Sequence, residues 1–254
     1  MSPQALALVG VCVALGFGVQ ALTGFGGVAV ALTLGSQVVP IARLVPLVAA
    51  LSLLQTGWLL VRHHEHIAWP LLLRRIVPLM VCGAVAGQVL GTRLSGRALE
   101  LCYGAFVVLA AAQELWAARR DGAPRPPLPR PLAGLLTLVA GVIHGIYAAG
   151  GPLLVYVVGR EGLAKSTFRS TLLAVWFVLN LGLTISFAGQ GRLVAADAPA
   201  LGWWALALIL GLALGEWGHA RVDERRFRLV ANALLLLAGS ALFLPALKAV
   251  LARS

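Results

Sequence analysis

The sequence predicts an all-α integral membrane protein of two homologous, inverted repeats, each a glycine-broken re-entrant hairpin followed by three transmembrane helices. Three observations predict it. First, 60% of the 254 residues are hydrophobic, 11% are charged and the mean hydropathy is +0.92, values outside the range of soluble domains. Second, apolar segments of about 20 residues, the length that crosses a bilayer, recur over 6–34, 44–61, 71–90, 99–117, 132–158, 171–188, 201–218 and 229–250. Third, Gly26-Gly27 recurs as Gly150-Gly151, and Gly87 through Gly91 as Gly211 through Gly215, both after a shift of 124 positions, as from 26 to 150. Such duplication characterises transporters whose broken helices meet near the bilayer midplane.

The chain opens without a basic leader or a small-residue cleavage site, so its start reads as part of the first membrane segment. That segment carries Gly16, Gly18, Gly24, Gly26 and Gly27; the fifth carries Gly141, Gly145, Gly150, Gly151 and Pro152. Neither is expected to be one straight helix, and backbone freed at membrane depth must be buried in protein or line a wet cavity. Each is either a kinked span or a hairpin that dips in and returns.

Charge decides between them. If all eight segments cross, the 20 Arg and Lys residues divide ten to ten between the two sides. If the two glycine-broken segments are re-entrant, they divide six to fourteen, the bias that orients membrane proteins. Three true crossings then follow each hairpin, which inverts the second repeat. The proline- and arginine-rich stretch 119–131 cannot continue a helix, and it divides the chain into a first repeat, 1–118, and a second, 132–254. On this arrangement the linker is cytoplasmic and the termini lie outside.

The glycine breaks carry the strongest chemical signal. Glycine lets backbone N–H groups turn toward a ligand, and half-helix N-termini present partial positive charge to an anion. Candidate binding groups are therefore Thr23, Gly24, Gly26 and Gly27 in one hairpin and Gly150 and Gly151 in the other; close helix packing is the alternative reading of the glycines. Gln20 and His144, 124 apart, place one polar side chain before each break. His144 is a candidate proton carrier, because a membrane-buried imidazole can change charge near neutral pH. Thr56 and Asn180 form a further pair at the same spacing, able to bond an oxyanion or a neighbouring helix. Arg43, Lys165 and Arg169 follow the hairpins and are candidates to attract an anion, or else solvated loop charges.

The net charge of +11 is spread in short clusters between apolar segments, a pattern of membrane topology and not of nucleic-acid binding. Cys12, Cys82 and Cys102 lie in apolar segments without metal or disulfide spacing. His63-His64-Glu65-His66 lacks ligands elsewhere in the chain, so no metal is expected. Trp203, Trp204, Glu216 and Trp217 read as interfacial anchors. There is no nucleophile elbow, P-loop or HExxH helix, so neither an enzyme nor a cofactor is predicted.

The opening Gly16-Phe17-Gly18 through Gly24-Phe25-Gly26-Gly27, with Pro40 after it, and Gly141-Val142-Ile143-His144-Gly145 through Gly150-Gly151-Pro152, then Arg169 and Asn180, resemble the TauE/SafE-type sulfite exporters. The blocks Gly87 to Arg93 and Gly211 to Arg221 fit the same pattern, so the likeness runs over nearly the whole chain. The family's usual opening has a further glycine, and often a proline, after the glycine pair; here the run is Gly26-Gly27-Val28-Ala29-Val30. The resemblance implies a secondary transporter of the bacterial inner membrane that exports a small anion, such as sulfite, sulfoacetate or a carboxylate, driven by protons. A passive anion channel and a membrane-embedded enzyme or assembly subunit are the alternatives, and a homo-oligomer is compatible with every reading.

Overall fold

The structure is a computed structural model that describes residues 2–94, 96–119 and 126–219 together with scattered positions between 233 and 248. The linker core 120–125, the basic loop 220–232 and much of the last expected segment, 229–250, lie outside the described residues. Among those described there is no strand.

Ser2 caps α1 (Pro3–Thr23) by accepting the Ala5 N–H at 3.2 Å, and Pro3 stands in the first turn, where its missing N–H costs nothing. The helix ends because Gly24 and Gly26 adopt φ of +86° and +83°, a region that only glycine enters cheaply. α2 (Gly27–Gly35) then runs back along α1. Gly16 lies against Gly27 and Ala31, and Gly35 against Val9 and against Leu44 of α3 (Ile41–His63). The first segment is a hairpin.

The second hairpin is built the same way. α7 (Arg130–Tyr147) starts at the end of the proline run, with Pro131 in its first turn. It stops at Ala148, whose φ of +54° is the one positive value among described non-glycine residues. The Ala148 N–H donates to the His144 carbonyl at 2.6 Å, as the Gly24 N–H does to that of Gln20 at 2.8 Å. α8 (Gly151–Val158) follows, and Gly150 rests on the Ala140 carbonyl and the His144 side chain.

One expectation is corrected here. Gly16, Gly18, Gly141 and Gly145 do not interrupt their segments; α1 and α7 run through them unbroken. An interior glycine weakens a helix by only about 1 kcal/mol, whereas a break needs the left-handed geometry found at 24, 26 and 148. These four glycines provide close approach instead. A Cβ on Gly141 would lie 2.5 Å from the Met80 carbonyl, and one on Gly18 would lie 3.1 Å from that of Gly211.

The remaining helices are α4 (Trp69–Leu71), a π-helical turn (Leu72–Ile76), α5 (Val77–Arg93), α6 (Gly96–Arg119), α9 (Lys165–Gly189) and α10 (Ala198–His219). α10 packs on α1 where Gly211 and Gly215 meet the carbonyls of Ala14 and Gly18. α5 packs on α7 where Gly83 and Gly87 meet those of Leu138 and Val142. α3 and α9 lie against each other. Ala14 to Leu138 is the 124-residue shift, but Gly83 to Gly211 is 128, so the glycine blocks aligned in sequence pack one turn out of register. A slip of four residues keeps the same helix face.

Contacts between loops fix which ends lie together. Arg43 is ion-paired with Asp197, Arg192 donates to the Ala42 carbonyl at 3.3 Å, and the Trp204 indole N–H donates to the Leu6 carbonyl at 2.9 Å. At the opposite end, Arg160 donates to the Pro126 carbonyl at 3.4 Å, the Ala68 N–H donates to Thr171 at 3.0 Å, and Arg75 faces Glu161 at 3.9 Å. Eight successive crossings would put the partners of the Arg43, Arg160 and Arg75 contacts on opposite sides. The hairpins therefore return. Six described helices are long and apolar enough to span a membrane, α1 and α7 among them; the return of α2 and α8 determines the topology.

Trp204 is fully buried, so it is no interfacial anchor, whereas Trp203 and Trp217 are more than half exposed. Asp197 binds Arg43 and also accepts the Val194 N–H at 3.0 Å. Asp197→Ala is expected to lower stability by about 1–2 kcal/mol, through the lost cap and the orphaned N–H; thermal unfolding in detergent measures it.

Candidate functional site

The two breaks meet. A Cβ on Gly151 would lie 3.8 Å from the Gly26 nitrogen, and Trp176 of α9 spans the junction. Its indole N–H donates to the Gly24 carbonyl of the first hairpin at 3.1 Å, and its ring stacks on His144 of the second, with centroids 5.6 Å apart and planes 17° apart. Between the breaks is a cavity of about 20 Å³, and one water needs roughly 10–15 Å³ on this scale.

The wall is polar where the hairpins face each other. Gln20, Ser52, His144 and Asn180 are each no more than 2% exposed and all line the cavity. The Asn180 amide donates to the Ser52 hydroxyl at 3.1 Å, which leaves its Oδ1 without a partner. Among the described residues the Gln20 Nε2 and both His144 ring nitrogens also lack a partner of hydrogen-bonding geometry, although Asn180 lies close beside the imidazole. Buried polar atoms are rarely left so, and a cluster of four in one cavity is the signature of a ligand or water site. Val28 and Ala29 in the first turn of α2 also line it, where backbone N–H groups have no partner within the helix. Pro152 opens α8 and removes one such donor there. Among the described residues no Arg, Lys, Asp or Glu lines this cavity, so an anion there would be held by amide donors and by the helix N-termini, equivalent to about half a charge each.

Of the residues singled out in the sequence, Gln20, Gly26, His144, Gly151 and Asn180 come together here. Gly24, Gly27 and Gly150 stand behind them and shape the turns; a Cβ on Gly27 would lie 2.6 Å from that of Gln20. Thr23 donates to the Val19 and Phe25 carbonyls at 2.9 and 2.8 Å, and Thr56 donates to the Ser52 carbonyl at 2.7 Å. Neither threonine reaches the cavity, because the backbone takes its hydroxyl. Arg43 is held by Asp197, and Arg169 by the Ala21 carbonyl and by Glu216, the latter at 2.7 Å. Both guanidinium groups are thus ion-paired, Arg169 with a partner, Glu216, on α10. Lys165 begins α9, and its side chain lies outside those described. Among the described residues no three His, Cys, Asp or Glu converge as metal ligands.

Sequence reasoning missed Trp176 and Ser52. They are 124 positions apart, as from 52 to 176, but an indole and a hydroxyl do not advertise a shared position, and neither carries a glycine or charge signal.

Facing hairpins, a polar cavity at their junction and bilayer-length helices around them define a multi-pass membrane transporter. The Sulfite exporter TauE/SafE family matches residues 6–242, and the chain belongs to that family of transporters, which are not enzymes. A protein of Cupriavidus necator strain H16 described as "Probable sulfite/organosulfonate exporter TauE" is 26% identical over 254 residues, covering 96% of each chain. No solved structure matches.

Proposed function

We propose that this transporter exports a small sulfur oxyanion or organosulfonate, of the sulfite or sulfoacetate type, and holds it between the two hairpin breaks. The observation that carries the reading is the set of unpartnered buried atoms, Gln20 Nε2, the His144 nitrogens and Asn180 Oδ1, around one cavity. Donors suit the oxyanion, and the Asn180 acceptor suits a proton retained on it. The relative's printed name points to the same class of cargo. A cavity of about 20 Å³ is too small for a several-atom anion, which favours a carrier that must open to load over a channel. His144 is the proposed coupling group, since it is the one imidazole at the site. The excess of arginine at the linker end favours a cytoplasmic linker and an N-terminus outside. The matching contacts of α1 with α10 and of α5 with α7 support two inverted repeats.

Sulfite and sulfoacetate are expected to raise the melting temperature of the detergent-solubilised protein, and taurine and acetate to do so less. At about 100 times the dissociation constant a ligand stabilises by roughly 2.7 kcal/mol. Gln20→Leu should weaken this at least tenfold, and His144→Ala should flatten the pH dependence of export from proteoliposomes. No stabilisation by any sulfur anion would refute the site, and an unchanged pH profile in His144→Ala would refute the coupling role.

A further inference from the structure

Beyond the central cavity a second pocket opens beside the other face of hairpin two, at the end of the molecule where Arg43 meets Asp197. It lies among α3, α5, the end of α7 and the loop after α9, and it is lined by Gln88, Gly91, Gly145, Tyr147 and Arg192. Gly145 and Tyr147 flank the same turn that carries His144, so hairpin two is the partition between the two cavities.

The Gln88 amide is turned with its oxygen toward α9. The Gln190 amide donates to the Ser186 hydroxyl at 2.9 Å, and that hydroxyl donates to Gln88 Oε1 at 2.7 Å. Oε1 is thereby engaged and Nε2 is left as a buried donor without a partner. Across the pocket stands Arg192. Its guanidinium stacks on the Phe187 ring at 4.5 Å and, among the described residues, makes a single hydrogen bond at 3.3 Å, to the Ala42 carbonyl, which leaves donors in hand. A cation and an amide donor are the chemistry of an oxyanion site, and this cavity of about 20 Å³, like the central one, must widen to admit an anion.

We infer that Gln88 and Arg192 form a second subsite for the transported oxyanion, separated from the central one by the tip of hairpin two. It rests on the proposed export of a sulfur oxyanion and, in the proposed orientation, is the last stop before release outside. Central anion and outer anion would then be exchanged by movement of one hairpin.

Equilibrium binding of radiolabelled sulfite to the purified full chain, with export from proteoliposomes, tests this. Wild type is expected to bind two sulfites per chain. Gln88→Glu keeps the size and turns a donor into a negative charge; it should bind one and export at least tenfold more slowly. Gln88→Met, which lacks the donor without adding charge, should also bind one, so poor folding of a single variant does not decide the matter. Two sulfites retained by a folded Gln88 variant would overturn the inference. One sulfite on wild type, lost in Gln20→Leu and kept in Gln88→Met, would overturn the second subsite alone. The reverse pattern would overturn the central reading instead.

Discussion

Gly87→Val is expected to lower the melting temperature of the detergent-purified protein by about 10 °C. A Cβ at Gly87 would fall on the Val142 carbonyl and lie 3.0 Å from its Cα. The obstacle is helix backbone, so nothing flexible yields, and the α5–α7 contact must separate. Overpacking of this kind costs about 3 kcal/mol, and each kcal/mol moves the melting point of a chain this size by roughly 2–4 °C. Gly182→Ala is the matched control. It also lies within a helix, α9, but an added Cβ there meets nothing within 4 Å, so the methyl should stabilise by about 0.5–1 kcal/mol through helix propensity. If both variants melt with wild type, the glycine contacts do not hold the bundle together.

The largest functional effect is expected at Trp176. Trp176→Phe keeps an aromatic face for His144 but loses the N–H that holds the Gly24 carbonyl, leaving a buried acceptor unpaired at about 1–3 kcal/mol. Because each 1.4 kcal/mol is tenfold in affinity, sulfite binding should fall roughly tenfold or more while the fold survives. Trp176→Ala removes the stacking as well and empties the wall of the cavity, with a stability loss of about 3–5 kcal/mol. Sulfite-dependent thermal shift and vesicle export, measured on both, separate the two contributions. Wild-type binding by the Phe variant would mean that the tie to Gly24 has no part in holding the site.

Both results bear on what the sequence can and cannot convey. The hairpins were legible at Gly24 and Gly26 because reversing a helix at membrane depth demands left-handed backbone, and glycine supplies it. Ala148 adopts the same region without that signature, and only its 124-residue offset from Gly24 betrays it. Gly16, Gly18, Gly141 and Gly145 look identical to the breaking glycines in sequence, yet they serve helix contact, since that choice is made by a neighbour distant in the chain. Gln20 and His144 stood out because polar side chains are scarce in apolar segments. Thr56 stood out for the same reason, but its hydroxyl is taken by the Ser52 carbonyl one turn back. Trp176 gave no sign, because an aromatic in a membrane helix is ordinary until its partners are known.

Among the described residues, the ties from α9 to the first hairpin have no equivalent from α3 to the second. Arg169 and Trp176 of α9 each grip a carbonyl at the end of α1, whereas the positions 124 earlier on α3 are Val45, which has no side-chain donor, and Ser52, whose hydroxyl accepts from Asn180. Two arms of near-equal shape are thus fastened unequally at these positions, so on the proposed carrier reading the idle protein would favour one posture. A machine whose halves cost the same to swing would rest facing either way; on that reading unequal fastening would supply the lean from which vectorial traffic starts.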